Sequence, residues 1–143
     1  MPLRSALHPR GLATLSGLAL EKVLQANKIY DLAAKVIYRC LDLGILVSCE
    51  NPVNSYMWQI DPFPALLADI RLSANVWDGC MHGGERDKTS LWLATKDLLD
   101  DLAMRCDKTH THKPWSVDLQ QGKWTFATAA EAETHKLAPP AGG

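Results

Sequence analysis

The stretch from residue 44 to 58, GILVSCENPVNSYMW, constrains the fold of this chain more than any other. Gly44 closes a long helical pattern, as glycine commonly does just past a helix end. Residues 45–49 then form a short apolar run containing the β-branched Ile45 and Val47. A run of that kind, bounded by turn residues, reads as a strand buried on both faces in the middle of a parallel sheet. It leads directly into Glu50-Asn51-Pro52, which places a carboxylate, an amide and a ring that blocks ladder pairing at the strand's carboxyl end. Ligands of open α/β sheets bind outside that end, so Glu50 is the first candidate functional residue.

The rest of the chain can be placed around this strand. Residues 1–17 contain Pro2, Pro9, Gly11 and Gly17 and no regular period, which predicts a loop-like start. Ser16 is a plausible cap for a helix beginning near Leu18 or Leu20. Val23, Leu24, Asn27, Tyr30, Ala33, Val36, Ile37 and Leu41 carry the helical spacing up to Gly44. Asp61-Pro62 predicts a second helix to about Leu72, with a cap and a first-turn proline. A short strand around Asn75-Val-Trp77 and another over residues 89–95 are separated only by a loop, so they should pair antiparallel. A short helix with an acidic first turn is expected over residues 97–104.

Helix, strand, helix and strand pair make the expected fold class α/β: a partial doubly wound, Rossmann-like sheet with a C-terminal antiparallel strand pair. The expected boundaries are a half-domain over residues 1–118 and a weakly ordered tail over 119–143, ending in Pro139-Pro-Ala-Gly-Gly. One parallel strand and a hairpin leave a sheet edge unpaired, which predicts self-association through that edge. On this reading the chain is the carboxyl-terminal half of a larger domain.

Composition narrows the function. With a net charge of −1, the chain has no general electrostatic grip on nucleic acid, although a local basic patch is compatible with it. No apolar run approaches the roughly 18–20 residues a membrane helix needs, and the start lacks the apolar centre of a signal peptide. Cys40, Cys49, Cys80 and Cys106 are widely spaced with no CxxC, which suits reduced thiols and an intracellular, nuclear or cytoplasmic, location.

Three constellations could carry chemistry. Glu50, with Asn51, Ser55 and the flat rings of Tyr56 and Trp58 nearby, offers groups that suit a nucleobase edge, and equally suit packing beneath a helix. Around the loop at residues 80–89, Gly83 and Gly84 allow close backbone approach, and Arg86 and Lys88 alternate so that both can hold a phosphate. A hairpin loop with solvated charges is the commoner use of such residues. Cys80, His82, Cys106, His110 and His112 are zinc-ligand types. Their spacing, Cys-x-His then Cys-x3-His-x-His, matches no common zinc pattern cleanly, so no metal is assigned to them at this stage.

Taken in order, these motifs resemble the later portion of the DNA (cytosine-5) methyltransferase-like domains of the class I S-adenosylmethionine-dependent fold, in a divergent, mobile-element-associated form. Glu50-Asn51-Pro52 resembles that family's Glu-Asn-Val motif, and the segment from Cys80 to Thr89 is similar to its Arg-containing loop. The segment from Cys106 to Trp115 and the tail containing Phe126, Glu131 and Glu133 complete the likeness, over about residues 1–133. The resemblance implies that Glu50 hydrogen-bonds a flipped cytosine, that Arg86 and Lys88 stabilise its carbonyl oxygen or nearby phosphates, and that Asn51, Ser55, Gly83 and Gly84 line the substrate. It implies S-adenosylmethionine as cofactor and DNA as partner. None of the four cysteines follows a proline, and no glycine-rich cofactor loop is present. The expectation is therefore the base-contacting half of such an enzyme, inactive alone. The alternative is a non-catalytic nucleic-acid-binding or assembly module, stabilised by zinc.

Overall fold

The computed structural model describes residues 2–113, together with the backbone of 117–120 and 123–126. Helix α1 spans Gly17–Asp42, and strand β1 spans Ser48–Pro52. A 3-10 turn over Tyr56–Gln59 and the short helix α2 (Phe63–Leu67) lead to β2 (Leu72–Asp78). Strand β3 (Thr89–Thr95) follows, and β4 (Val117–Gln120) and β5 (Lys123–Phe126) form a separate two-stranded pair.

The sheet overturns the expected fold class. Its order is β1-β3-β2 and both pairings are antiparallel, so among the described residues there is no parallel, doubly wound core. The Rossmann-like methyltransferase assignment fails with it, and so does the S-adenosylmethionine cofactor, because no parallel strand ends above a helix to make the nucleotide crevice. The physical cause lies in residues 45–49. Gly44 takes a positive φ of 66° and the amide of Ile45 bonds back to the carbonyl of Cys40, 2.8 Å away, which completes the helix end. The chain then needs residues 45–47 to descend to the sheet. Ile45 and Leu46 remain exposed, and the strand begins only at Ser48. Its burial alternates, as in an edge strand with one covered face.

The core lies between the helices and one face of this sheet. Ala34 and Ile37 from α1, Met57 and Trp58 from the 3-10 turn, Phe63 and Leu66 from α2, and Leu72 and Leu93 from the sheet form one cluster. Trp58 and Phe63 meet edge to face at 5.8 Å, and the Trp58 indole N–H donates to the carbonyl of Pro52 at 3.0 Å. Helix α2 is much shorter than expected because Leu72 is drawn into β2, where it pairs with Thr95. The expected helix over 97–104 is reduced to a single 3-10 turn, Asp100–Leu102.

Residues 2–16 lie along the start of α1. Arg4 donates to Asn27 at 2.8 Å, the Asn27 amide donates to the carbonyl of Arg10 at 2.8 Å, and Arg10 pairs with Asp31 at 2.8 Å. Most of the tail expected from 119 onward, with Glu131 and Glu133, lies outside the described residues, as does Trp115. The sheet is open, and among the described residues no helix is long and apolar enough to cross a membrane.

Candidate metal centre

Two loops meet beyond the ends of β2 and β3. The first leaves β2 at Asp78 and makes a 3-10 turn over Gly79–His82 that carries Cys80. Gly83 follows with a φ of 86°, and the amide of Gly84 closes back onto the carbonyl of Gly79 at 2.9 Å. A Cβ at Gly84 would stand 2.7 Å from that same carbonyl oxygen, so only glycine fits there. Both glycines thus shape the turn that presents Cys80. The second loop, residues 105–113, carries Cys106, His110 and His112.

Asp78 joins the two loops. Its carboxylate is buried and accepts from the backbone amide of Cys106 at 2.7 Å and from Arg105 Nε at 2.9 Å, while Thr89 donates to its other oxygen. Its own amide donates to the carbonyl of Met104 at 2.9 Å. Burial alone would raise this carboxyl, but the bonds from Thr89, from the Cys106 amide and from Arg105 outweigh it and hold the group at about 2. Further along, the Lys113 amide donates to the carbonyl of Glu85 at 2.8 Å, and Arg86 and Lys113 form a short parallel bridge.

This clamping brings Cys80 Sγ, Cys106 Sγ and one ring nitrogen each of His110 and His112 within 4.8 Å of one another. Cys106 Sγ lies 3.8 Å from His110 Nε2 and 3.6 Å from His112 Nε2. Zn–S near 2.3 Å and Zn–N near 2.0–2.1 Å place tetrahedral ligand atoms roughly 3.3–3.8 Å apart. The Cys106–histidine edges already have that length, and the widest separation closes with a movement of about 1 Å. The two imidazoles stand nearly perpendicular, at 85°, and both direct Nε2 at the same sulfur.

The surroundings suit a cation as well. Asp107 Oδ1 lies 3.6 Å from His110 Nδ1, the ring nitrogen opposite Nε2, just beyond hydrogen-bond length, so a small closure would give the carboxylate–imidazole pair that orients metal-bound histidines. Asp107 is itself fixed by the Thr109 amide at 3.0 Å and hydroxyl at 2.8 Å, which hold its carboxyl below the usual range. The Lys108 amide points at Cys106 Sγ from 3.4 Å, reached through a positive φ at Lys108. Desolvation, and then the neighbouring Cys106 thiol, push the Cys80 thiol above its normal range. A divalent ion reverses that balance, since it favours two adjacent thiolates. An open cleft of about 350 Å³, lined in part by Arg105, Cys106, Lys108, His110 and His112, gives an ion a way in.

The other sequence candidates fall elsewhere. His82 is outside the quartet: its Nε2 donates to the carbonyl of Leu102 at 3.0 Å and its ring packs on Trp77. Glu50 sits in mid-strand opposite Trp92, rather than past a strand's carboxyl end, and Lys88 Nζ is 3.5 Å away. Asn51 directs its amide at Met57 Sδ, and the Ser55 hydroxyl accepts from the Met57 amide at 3.2 Å to start the 3-10 turn. Arg86 is buried beside the second loop. The methyltransferase frame in which Glu50, Arg86 and Lys88 would surround a flipped cytosine is absent, because the sheet that defines it is absent. Sequence reasoning passed over Asp78 and Asp107; the signal for Asp107 was its place one residue after Cys106 in a Cys-Asp-x-Thr-His turn. No protein-family model, curated protein or solved structure matches this chain, and the site stands on its own geometry.

Proposed function

We propose that this chain is a non-catalytic assembly module whose fold is secured by one zinc ion held by Cys80, Cys106, His110 and His112. The observation that carries the proposal is the convergence of those four soft or borderline donors within 4.8 Å at the junction of two loops. Four protein donors fill a tetrahedral shell and leave no open position for substrate, which is the pattern of a structural rather than a catalytic zinc site. The location supports the same reading. The described residues bury only eleven hydrophobic side chains, and the two loops lie beyond the end of that core. Small cores commonly need a metal or disulfide to hold such regions.

The test is metal analysis of the purified full chain. One zinc per chain is expected, with loss of ordered structure in the loops on chelation and recovery on adding zinc back. Replacing Cys106 by Ser should abolish stoichiometric binding, because its sulfur is the shared vertex of the cluster. Full-length protein that is metal-free after zinc-supplemented expression, and whose thermal unfolding is unmoved by zinc or chelator, would sink the proposal.

A further inference from the structure

The fold sets two of the four cysteines apart. Cys40 lies on α1 and Cys49 packs against the core, whereas Cys80 and Cys106 come from separate loops and bring their sulfurs within 4.8 Å of each other. Backbone contacts hold that pair together. Asp78, at the start of the turn that carries Cys80, binds the Cys106 amide at 2.7 Å and the Met104 carbonyl at 2.9 Å. The Gly79 amide donates to the Lys88 carbonyl at 2.8 Å, which fixes the turn on the sheet. Both cysteines are half-buried, so neither is sealed from solvent. They differ in access: Cys106 lines the open cleft of about 350 Å³, and Cys80 does not.

We infer that this pair is a redox release for the metal: hydrogen peroxide joins Cys80 to Cys106 in a disulfide and expels the zinc ion. The inference rests on the zinc site proposed for the four ligands and names how that site is regulated. The Cys106 thiolate, reached through the cleft, attacks one peroxide oxygen; the O–O bond breaks, hydroxide leaves and a sulfenic acid forms. The Cys80 thiolate then attacks that sulfur, the S–S bond forms and a second hydroxide leaves. Two solvent protons convert the hydroxides to water. The two thiolates together lose two electrons, and the peroxide gains them. A metal binds thiolate, so the disulfide leaves only His110 and His112 of the four donors. The new bond brings the sulfurs to about 2.05 Å. Cys80 sits in a single 3-10 turn and Cys106 in irregular chain, and both segments can yield more readily than a strand or a long helix. The oxidised form holds less than the zinc form. Residues 80 and 106 stay joined, while residues 107–113, with both histidines, lose their anchor on the ion.

Oxidation of the full chain tests this, with bound zinc counted before any peroxide is added. Stoichiometric hydrogen peroxide should release one zinc per chain to a colorimetric chelator, and the intact mass should fall by that of two hydrogen atoms. Non-reducing peptide mapping should find the link between Cys80 and Cys106, and dithiothreitol with added zinc should restore the loaded form. A chain that holds no zinc at the outset fails the metal reading, and this inference falls with it. A chain that starts with one zinc and keeps it under stoichiometric peroxide overturns this inference alone. So does one that loses zinc without the Cys80–Cys106 link, whether the sulfurs are over-oxidised, joined to Cys40 or Cys49, or joined to another chain. In both of those cases the structural zinc site stands.

Discussion

Asp78 is the single residue on which most of the site depends. It receives hydrogen bonds from three partners on two segments, and one of them is the amide of Cys106, a member of the Cys/His cluster. Hydrogen bonds to a charged group contribute roughly 1.5–3 kcal/mol each when the group is held in place. Arg105 is well exposed, so its share is screened. Asp78→Asn keeps the shape and loses the charge. It should lower stability by roughly 1.5–3 kcal/mol in urea unfolding and weaken zinc binding by about 10–100-fold in competition with a chelator. Unchanged zinc affinity would mean that the second loop is positioned without it. Cys49 differs from Cys80 and Cys106: it packs against the core, and burial, then the charge of Glu50, push its thiol up, which suits an inert packing residue.

At the scale of elements, the turn into β2 has its own electrostatic lock. Asp69 accepts from the Arg71 amide at 2.9 Å and from its guanidinium at 2.7 Å, and these bonds hold its carboxyl at about 2. A carboxyl depressed in the folded state stabilises above its unfolded value, about 3.9, and that contribution is lost as pH falls through the folded one. The chain should therefore lose stability more steeply between about pH 4 and pH 2 than Asp69→Asn does. Parallel urea midpoints across that range check the difference; coincident acid limbs would remove the turn from the account. Helix α1 and the antiparallel pair β2–β3 were legible in sequence, because an i, i+3, i+4 pattern closed by Gly44, and two short runs joined by a Gly-Gly loop, have few alternatives. Strand β1 was not. An apolar run has the same appearance whether it lies inside a sheet or crosses from a helix to an edge strand, and Ile45 and Leu46 do the latter.

At the scale of the molecule, a thin apolar core is joined to a pair of loops that Asp78 fastens together and that the proposed zinc ion would cross-link. Phe63 is fully buried at the centre of the cluster, and Phe63→Ala should cost about 3–5 kcal/mol. That is a large part of the roughly 5–15 kcal/mol available to a domain. The zinc-loaded variant should still show a cooperative thermal transition, and the chelated variant should show none; equal behaviour with and without zinc would separate the two halves of the fold. What the sequence determined by itself was local: the long helix, the hairpin, the glycines of the turn and the short Cys-x3-His-x-His segment. The tertiary structure alone decided that the sheet is antiparallel and that Cys80 joins a cluster 26 positions further along the chain. The reason is physical. Periodicity and turn chemistry act over a few residues, whereas strand order and the meeting of distant ligands depend on which faces pack and where one buried carboxylate, Asp78, fastens the two loops together.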